Sequence, residues 1–256
     1  MAERTVAIRD MILGDGEPKI CIPVTARNFN ELEGQIGSIL ESPCDMVEWR
    51  ADYFEAGVLD WIGKCLQILR RRLGERPVLF TYRTAAEGGQ GRAEAGEYEM
   101  LNLEAAATGL ADLVDLEWNR GEALFCRTAE EIHKKNALVV GSFHDFEKTP
   151  PEEEIVRILC RIQTLGADIS KAAVMPQCEQ DVLTLLSASL AMKKRYADRP
   201  YITMSMGGLG AFTRLCGSFT GSAVTFATAG PASAPGQMDA RAVAAVRDEM
   251  RKGAEA

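Results

Sequence analysis

The chain of 256 residues has only two histidines, and none of its seven cysteines forms a C-x-x-C motif. A histidine-rich metal site is therefore excluded. The cysteines are odd in number and widely spaced, which does not suit a disulfide framework or a zinc site. We expect them to be small, buried apolar residues in a reducing compartment. They are Cys21, Cys44, Cys65, Cys126, Cys160, Cys178 and Cys216.

The sequence also lacks a long apolar run and a surplus of positive charge. No run approaches the roughly 20 residues of a membrane span. The opening MAERTVAIRD lacks the basic-then-apolar layout of a secretory signal. The formal net charge of −8 argues against nucleic acid as the main partner, because a phosphate backbone needs a basic face. We therefore expect a cytoplasmic protein that binds neither membranes nor nucleic acid, although a local arginine cluster can bind a small anion.

Short apolar segments alternate with longer amphipathic ones along the chain. This alternation predicts parallel βαβ units. Eight units in about 250 residues favour a closed (β/α)8 TIM barrel over an open doubly wound sheet. The turn after the first segment, TARNFN, is not a dinucleotide-binding fingerprint. The eight predicted strands are 19–24, 45–50, 77–83, 111–118, 137–143, 167–174, 200–205 and 223–228.

Other segments complete the predicted architecture. TVAIRDMIL (5–13) predicts a short extra strand or hairpin that closes the bottom of the barrel. AFTRLCG (211–217) predicts only a short helix. The chain contains no internal linker, low-complexity tract or charge block, so we expect residues 1–256 to form one barrel domain of the α/β class.

Polar residues at the carboxyl ends of the strands are the first candidates for an active site, because barrel enzymes build their sites there. Glu48 and Arg50 end the second segment and share one face. They could hold hydroxyl groups of a polyol, or they could form a structural ion pair. Arg83 ends the third segment and Glu87 follows it, with the same two alternatives. An arginine fork also suits a carboxylate.

Lys171 lies inside the sixth apolar segment, ADISKAAV. A period of two places Ile169, Lys171 and Ala173 on one face of that strand. A desolvated ammonium group loses its proton more readily, and the free amine attacks a carbonyl carbon. The alternative is a lysine that reaches solvent at the strand end or pairs with a carboxylate.

His144 follows the fifth segment in the motif GSFHDF. A barrel enzyme that transfers protons near neutral pH would place a histidine there. Alternatively, His144 caps the next helix or binds a loop carbonyl group, and Asp145 could itself be the helix N-cap. His133 falls in the charged helical segment AEEIHKKN, and we expect it at the surface.

The last two strands are each followed by a loop rich in small residues. Met204 and Met206 stand at the end of the seventh segment, before GGLGAFTRLCG (207–217). The glycines there could cradle a phosphate or could simply permit tight turns, and Arg214 adds a cation for a phosphate or carboxylate. The segment 228–239 is either an ordinary loop or a lid whose Ser233 and Gln237 touch the substrate.

In their order and spacing, these motifs resemble the type I 3-dehydroquinate dehydratases over nearly the whole chain. This sequence departs from the common pattern in its extra glycines before Arg214 and in Ser170, where a proline is frequent. Neither departure removes a chemical group. The matching motifs are E-x-R (48–50), Y-R-T-x-x-E-G-G (82–89), S-F-H-D-F (142–146), A-D-x-x-K-x-A-V-M-P (167–176), M-S-M (204–206), Arg214, G-S-A-x-T-F (221–226) and S-A-P-G-Q (233–237).

The resemblance implies dehydration of 3-dehydroquinate to 3-dehydroshikimate, a step of the shikimate pathway of aromatic amino acid biosynthesis. It implies no cofactor and no metal. Lys171 would form an iminium with the C3 ketone, and His144 would act first as general base and then as general acid. Glu87 would orient His144 and favour its charged form.

The resemblance also implies the groups that bind the substrate. Arg214, Ser233 and Gln237 would hold the carboxylate. The ring hydroxyl groups and the charge of Lys171 would depend on Glu48, Arg50 and Arg83, while Met204 and Met206 would form an apolar wall. A homodimer is implied, and no fused shikimate dehydrogenase is expected.

Two other functions compete with this interpretation. A class I aldolase would share Lys171 and use the glycines after the seventh strand for phosphate, but Arg214 and the S-A-P-G-Q segment suit a carboxylated cyclic polyol better. A non-catalytic barrel that senses a small acid would need neither a reactive lysine nor a histidine with an orienting glutamate at the same rim.

Overall fold

The computed structural model describes residues 5–55, 57–230 and 232–255. Eight of its strands form one parallel sheet in the order β10-β3-β4-β5-β6-β7-β8-β9. The sheet closes where Ala223 N donates to Tyr201 O at 2.8 Å. The prediction of a (β/α)8 barrel is therefore confirmed. The strands are β1 (Val6–Ile8), β2 (Met11–Leu13), β3 (Lys19–Val24), β4 (Met46–Arg50), β5 (Val78–Thr81), β6 (Leu113–Glu117), β7 (Leu138–Asp145), β8 (Ile169–Val174), β9 (Tyr201–Ser205) and β10 (Val224–Phe226).

The helices surround the sheet and bury one face each. In α5, Ile155, Ile158 and Ile162 follow the helical period and are buried, while acidic residues in the first turn complement the helix dipole. In α1, the side chain of Asn28 accepts from Glu31 N at 3.0 Å and caps the helix. The helices are α1 (Phe29–Leu40), α2 (Val58–Leu73), α3 (Ala95–Ala107), α4 (Glu122–His133), α5 (Glu152–Thr164), α6 (Glu179–Ala191), α7 (Gly207–Gly210), α8 (Gly217–Thr220) and α9 (Ala240–Glu255).

Two strand ends differ from the prediction in ways that matter for the site. The strand predicted to end at Arg83 ends at Thr81, so Arg83 lies two residues beyond β5. The strand predicted to end before His144 continues to Asp145, because β7 keeps pairing with β8 as far as Asp145 and Val174. His144 is therefore fixed by the barrel wall rather than by a loop.

The N-terminal hairpin closes the bottom of the barrel, as predicted. β1 and β2 pair in antiparallel orientation. Ile8 and Leu13 are buried in the barrel interior beside Cys21, Met46 and Leu113. Their apolar side chains thus fill the end opposite to the carboxyl ends of the strands.

The cysteines differ in part from the prediction. All seven are free, and Cys21 and Cys65 are buried as expected. Cys178 is exposed, because it directly precedes α6 outside the barrel wall, so the prediction is wrong for this residue. The other four, Cys44, Cys126, Cys160 and Cys216, are only partly buried. Among the described residues, no helix is both long and apolar enough to cross a membrane. Residues 1–4, part of the segment assessed for a secretory signal, lie outside the described residues.

Candidate active site

One cavity at the carboxyl ends of the strands is lined by every residue that the sequence suggested for the site. The cavity has a volume of about 590 Å³, including its open mouth. Side chains from four strands and from the loops after β5, β9 and β10 converge there because parallel strands of a barrel end at one face. These lining residues are Glu48, Arg50, Arg83, Glu87, His144, Lys171, Met204, Met206, Arg214, Ser233 and Gln237.

His144 and Glu87 form a buried acid–base pair. His144 Nδ1 lies 2.8 Å from Glu87 Oε2. Burial raises the pKa of Glu87 to about 8, against the opposing effect of Arg83. Burial, reinforced by nearby cations, lowers the pKa of His144 well below 6.5. These directions contradict the expectation that Glu87 favours the charged form of His144, since burial penalises both charges.

Arg83 connects this pair to three side chains that the sequence analysis did not select. Its Nη1 donates to Ser142 Oγ at 2.9 Å and to Glu117 Oε1 at 3.2 Å. Its Nη2 lies 2.7 Å from Asp115 Oδ2, as an ion pair without hydrogen-bond alignment. The same guanidinium also donates to Glu87 at 3.3 Å. The contact that the ion-pair alternative requires between Arg83 and Glu87 is therefore present, as part of the cavity wall.

Lys171 projects from β8 into the cavity between two carboxylates. Its Nζ lies 3.9 Å from Glu48 Oε1 and 3.8 Å from Asp115 Oδ2. The face of the Phe226 ring lies 4.4 Å from Nζ. The amine is buried and near negative charge, but both carboxylates are beyond hydrogen-bond distance. A ligand in the cavity can therefore reach Nζ without displacing a direct bond.

Glu48 and Arg50 do not pair with each other, although they share a face. Arg50 forms a two-bond contact with Asp52 at 2.8 Å, and Glu48 accepts from Thr81 Oγ1 at 2.9 Å. The structural ion pair suggested for these two residues is thus wrong. Each side chain has its own local anchor, which holds it at the cavity surface.

Arg214 differs from the other buried cations of the cavity. Its Nη2 donates to the carbonyl oxygen of Pro235 at 3.0 Å, and among the described residues no acidic side chain pairs with it. Burial lowers the pKa of Arg214 to about 10, so the side chain remains cationic at neutral pH. A buried cation without an anionic partner is costly, and a bound carboxylate would offset that cost.

Ser233 and Gln237 line the mouth of the cavity above Arg214. They bond to each other, with Gln237 Nε2 donating to Ser233 Oγ at 3.0 Å. The carbonyl oxygen of Pro235 also accepts from Gly207 N at 3.3 Å, which ties this segment to α7. The predicted lid, 228–239, is described except for position 231.

His144 and Asp145 do not have the helix-capping role that was the alternative for them. α5 begins at Glu152, so neither His144 nor Asp145 caps it; Asp145 instead accepts from the backbone of Glu147 and Lys148. His133 is exposed, as expected, and bonds to Asp168.

A side chain at Gly210 would collide with the backbone of Ser205, which supports close packing as the reason for that glycine.

A sequence signal could have found Asp115 and Glu117. Both are acidic residues inside the apolar segment ADLVDLEW, two residues apart on one face. A charge within a buried strand needs a partner or a function. Ser142 carries no comparable signal, because a small hydroxyl residue is common in strands facing a lumen.

The donor set of the cavity does not suggest a metal centre. In the described residues, no group of three or more histidine, cysteine, aspartate or glutamate side chains is arranged to hold a metal ion. The acidic residues of the cavity are already engaged by arginine, lysine, hydroxyl or imidazole groups.

Comparisons with known proteins agree with this geometry. Residues 20–253 match the family model of type I 3-dehydroquinase. A 3-dehydroquinate dehydratase of Clostridioides difficile is 43% identical over 98% of both chains, and one of Syntrophotalea carbinolica is 46% identical over 92% of this chain and 94% of its own. A crystal structure of type I 3-dehydroquinate dehydratase from Clostridium difficile with covalently modified comenic acid has a TM-score of 0.94, 42% identity and coverage of 98% and 99%. The chain therefore belongs to the type I 3-dehydroquinase family, whose members are hydro-lyases.

Proposed function

We propose that this chain dehydrates 3-dehydroquinate to 3-dehydroshikimate through a Schiff base on Lys171. The observation that carries the proposal is the placement of three groups around one cavity. These groups are a buried amine, a largely buried imidazole held by a carboxyl group, and a buried guanidinium with no acidic partner among the described residues. The amine can react with the ketone of the substrate, the imidazole can take a proton from its acidic C–H bond, and the guanidinium can bind its carboxylate.

Imine formation begins with the unprotonated amine of Lys171. The amine attacks the C3 carbonyl carbon, and the resulting carbinolamine loses water to give an iminium cation. Glu48 and Asp115, at 3.9 and 3.8 Å from Nζ, stabilise the positive charge on that nitrogen. The iminium then withdraws electrons from C2, which makes a C2 proton acidic enough to remove.

Elimination uses His144 twice. The free Nε2 atom takes a proton from C2, and the electron pair of that bond forms an enamine. The enamine electrons then expel the C1 hydroxyl group, which leaves as water with the proton that His144 returns. Hydrolysis of the product iminium consumes one water and frees Lys171, so the net change is loss of one water from the substrate.

The other cavity residues bind and orient the substrate. Arg214 receives the carboxylate, and Ser233 and Gln237 close over the same end from the lid. Glu48, Arg50 and Arg83 face the ring hydroxyl groups. Met204 and Met206 form an apolar wall that limits access of water.

The proposal is tested by following the ultraviolet absorbance of the conjugated enone product after 3-dehydroquinate is added. The chain should form product, Lys171→Ala should form none because the covalent electron sink is lost, and Lys135→Ala, which changes an exposed lysine, should behave as the parent. A folded parent protein without turnover would contradict the assignment. Equal rates for the parent and Lys171→Ala would contradict the Schiff base.

We also propose a cytoplasmic homodimer. The family resemblance supports the dimer, and three large apolar side chains exposed in one stretch, Leu209, Phe212 and Phe219, suit a protein contact. Light scattering coupled to gel filtration should give twice the mass of one chain. A monomer at micromolar concentration would contradict the dimer without affecting the proposed chemistry.

A further inference from the structure

Phe146 lies beside the acid–base pair in the wall of the cavity. The Phe146 ring stacks nearly parallel to the imidazole of His144, with 6.5 Å between centroids and 23° between planes. Phe146 lines the cavity and is 36% exposed, whereas the side chain of Glu87 is 1% exposed. The ring is therefore partly exposed to solvent, whereas the carboxyl group beneath the neighbouring imidazole is not.

Gly88 provides the seat for this ring. A Cβ atom at Gly88 would lie 2.3 Å from the Phe146 ring, so the ring packs directly on the backbone that follows Glu87. The backbone of Gly88 also has a φ of +77°, a conformation that glycine adopts readily. Phe146 thus contacts both segments that carry the pair, the end of β7 and the turn that contains Glu87.

Several charges face the pair from other elements. Arg83 follows β5 and lies 3.3 Å from Glu87. The cations Arg50 on β4 and Lys171 on β8 disfavour a charged imidazole, and the anions Asp115 and Glu117 on β6 disfavour a charged Glu87. The strength of all these interactions depends on how little water enters the space around the pair.

We propose that Phe146, seated on Gly88, is a positioning residue that keeps water away from the His144–Glu87 pair and thereby sets the pH at which the pair releases its shared proton. The proposal deepens the proposed function and rests on it for the catalytic consequence. The exclusion of water from the pair can be tested without substrate, through the protonation of the His144 ring.

Removal of the ring has a defined electrostatic sign. Water that enters stabilises the carboxylate, which lowers the pKa of Glu87 from about 8. Water also stabilises the imidazolium, which raises the pKa of His144 toward 6.5. The pair then changes from a neutral imidazole beside a protonated carboxyl group to an imidazolium beside a carboxylate.

Nitrogen-15 NMR can read this change directly, because the chain has only two histidines. The His133→Gln variant assigns the signals. We expect the His144 ring to stay uncharged at pH 6 in the parent and in Phe146→Tyr, and to be largely protonated at that pH in Phe146→Ala. Leu183→Ala, which removes an exposed apolar side chain of α6 outside the cavity, should match the parent. An uncharged His144 ring at pH 6 in Phe146→Ala would overturn the proposal, as would equal changes in the Ala and Tyr variants.

The pH profile of kcat/KM provides the catalytic readout. The acidic limb should move to lower pH by about one unit in Phe146→Ala and stay in place in Phe146→Tyr. A higher KM with an unmoved limb would show a substrate wall only and would overturn the proposal. The NMR result stands apart from the reaction: failure of turnover in the parent would reject the proposed function, whereas unchanged NMR titration would reject the role of Phe146.

Discussion

His144 Nδ1 and Glu87 Oε2 lie 2.8 Å apart, and only 9% of the His144 side chain and 1% of the Glu87 side chain are exposed. The pKa of Glu87 is raised to about 8 and that of His144 is lowered, so near neutral pH the pair holds one proton between the two side chains. While that proton remains, the pair has no basic Nε2 atom to offer. Loss of the proton leaves Nδ1–H donating to the carboxylate and Nε2 free to act as a base.

The pair should therefore govern the acidic limb of activity. We predict that kcat/KM of the parent rises with pH through a midpoint near 8, because the shared proton must leave first. In Glu87→Gln the amide cannot carry that proton, and His144, whose pKa is low, exposes its free Nε2 atom at lower pH. The midpoint should fall below 6.5. The check is the pH dependence of kcat/KM for both proteins, and an unchanged midpoint in the variant would reject proton sharing.

His144 should be separable from imine formation. We predict that His144→Ala still forms the imine, because Lys171 is untouched, but that turnover falls by a factor of about 10² to 10⁴ as proton transfer is lost. Reduction with borohydride in the presence of 3-dehydroquinate, followed by intact-mass measurement, detects the trapped adduct. Near-normal turnover in this variant would contradict the assignment of His144 as base and acid.

Arg214 should contribute mainly to binding. Removal of its charge in Arg214→Ala leaves the substrate carboxylate without its cation, and we predict an increase in KM of about 10- to 150-fold from the usual strength of a charged hydrogen bond. Arg214→Lys keeps the charge but loses the planar fork of the guanidinium group. Its KM should therefore lie between that of the parent and that of Arg214→Ala. Steady-state kinetics on the three proteins decide the matter. A KM in Arg214→Ala equal to that of the parent would place the carboxylate elsewhere.

Two buried serines of neighbouring strands should respond in opposite ways to loss of their hydroxyl groups. Ser170 Oγ is buried and has no hydrogen-bond partner in the described part of the chain, whereas Ser142 Oγ bonds to Asp115 at 2.6 Å and to Arg83 at 2.9 Å. Ser170→Ala should stabilise the fold by about 1 kcal/mol, because an unsatisfied hydroxyl is costly to bury. Ser142→Ala should destabilise it by about 1 to 3 kcal/mol, since two charged groups lose a partner.

Urea unfolding of the two serine variants beside the parent measures these changes. A lower free energy of unfolding in Ser170→Ala than in the parent would show that its hydroxyl group has a partner in solution.

The sequence predicted the fold well because the alternation of apolar and amphipathic segments is a local signal. It placed the barrel strands and the hairpin at the bottom, and it selected a set of residues that all line one cavity. Several strand bounds were off by one or more residues, and the errors that matter for the site occurred at Arg83 and His144, where polar residues continue or follow a strand. The hydrogen bonds of β7 to its neighbour decide that boundary, and no local pattern contains them.

The pairing of charged side chains could not be predicted from the sequence either, because it too depends on contacts between strands. Arg50 pairs with Asp52 rather than Glu48, and Arg83 reaches Asp115 on the next strand, which depends on barrel register and side-chain direction. The directions of the His144 and Glu87 pKa shifts are opposite to those that the resemblance implies, because the sequence does not show how deeply both groups are buried.

In the proposed mechanism, Lys171 forms a covalent imine with 3-dehydroquinate. The most direct measurement mixes the protein with this compound, adds borohydride, digests the product and locates the modified peptide by mass spectrometry. We predict a reduced adduct on Lys171 and no adduct when Lys171→Ala is treated in the same way. A folded parent protein with no adduct, or with an adduct on another lysine, would contradict it.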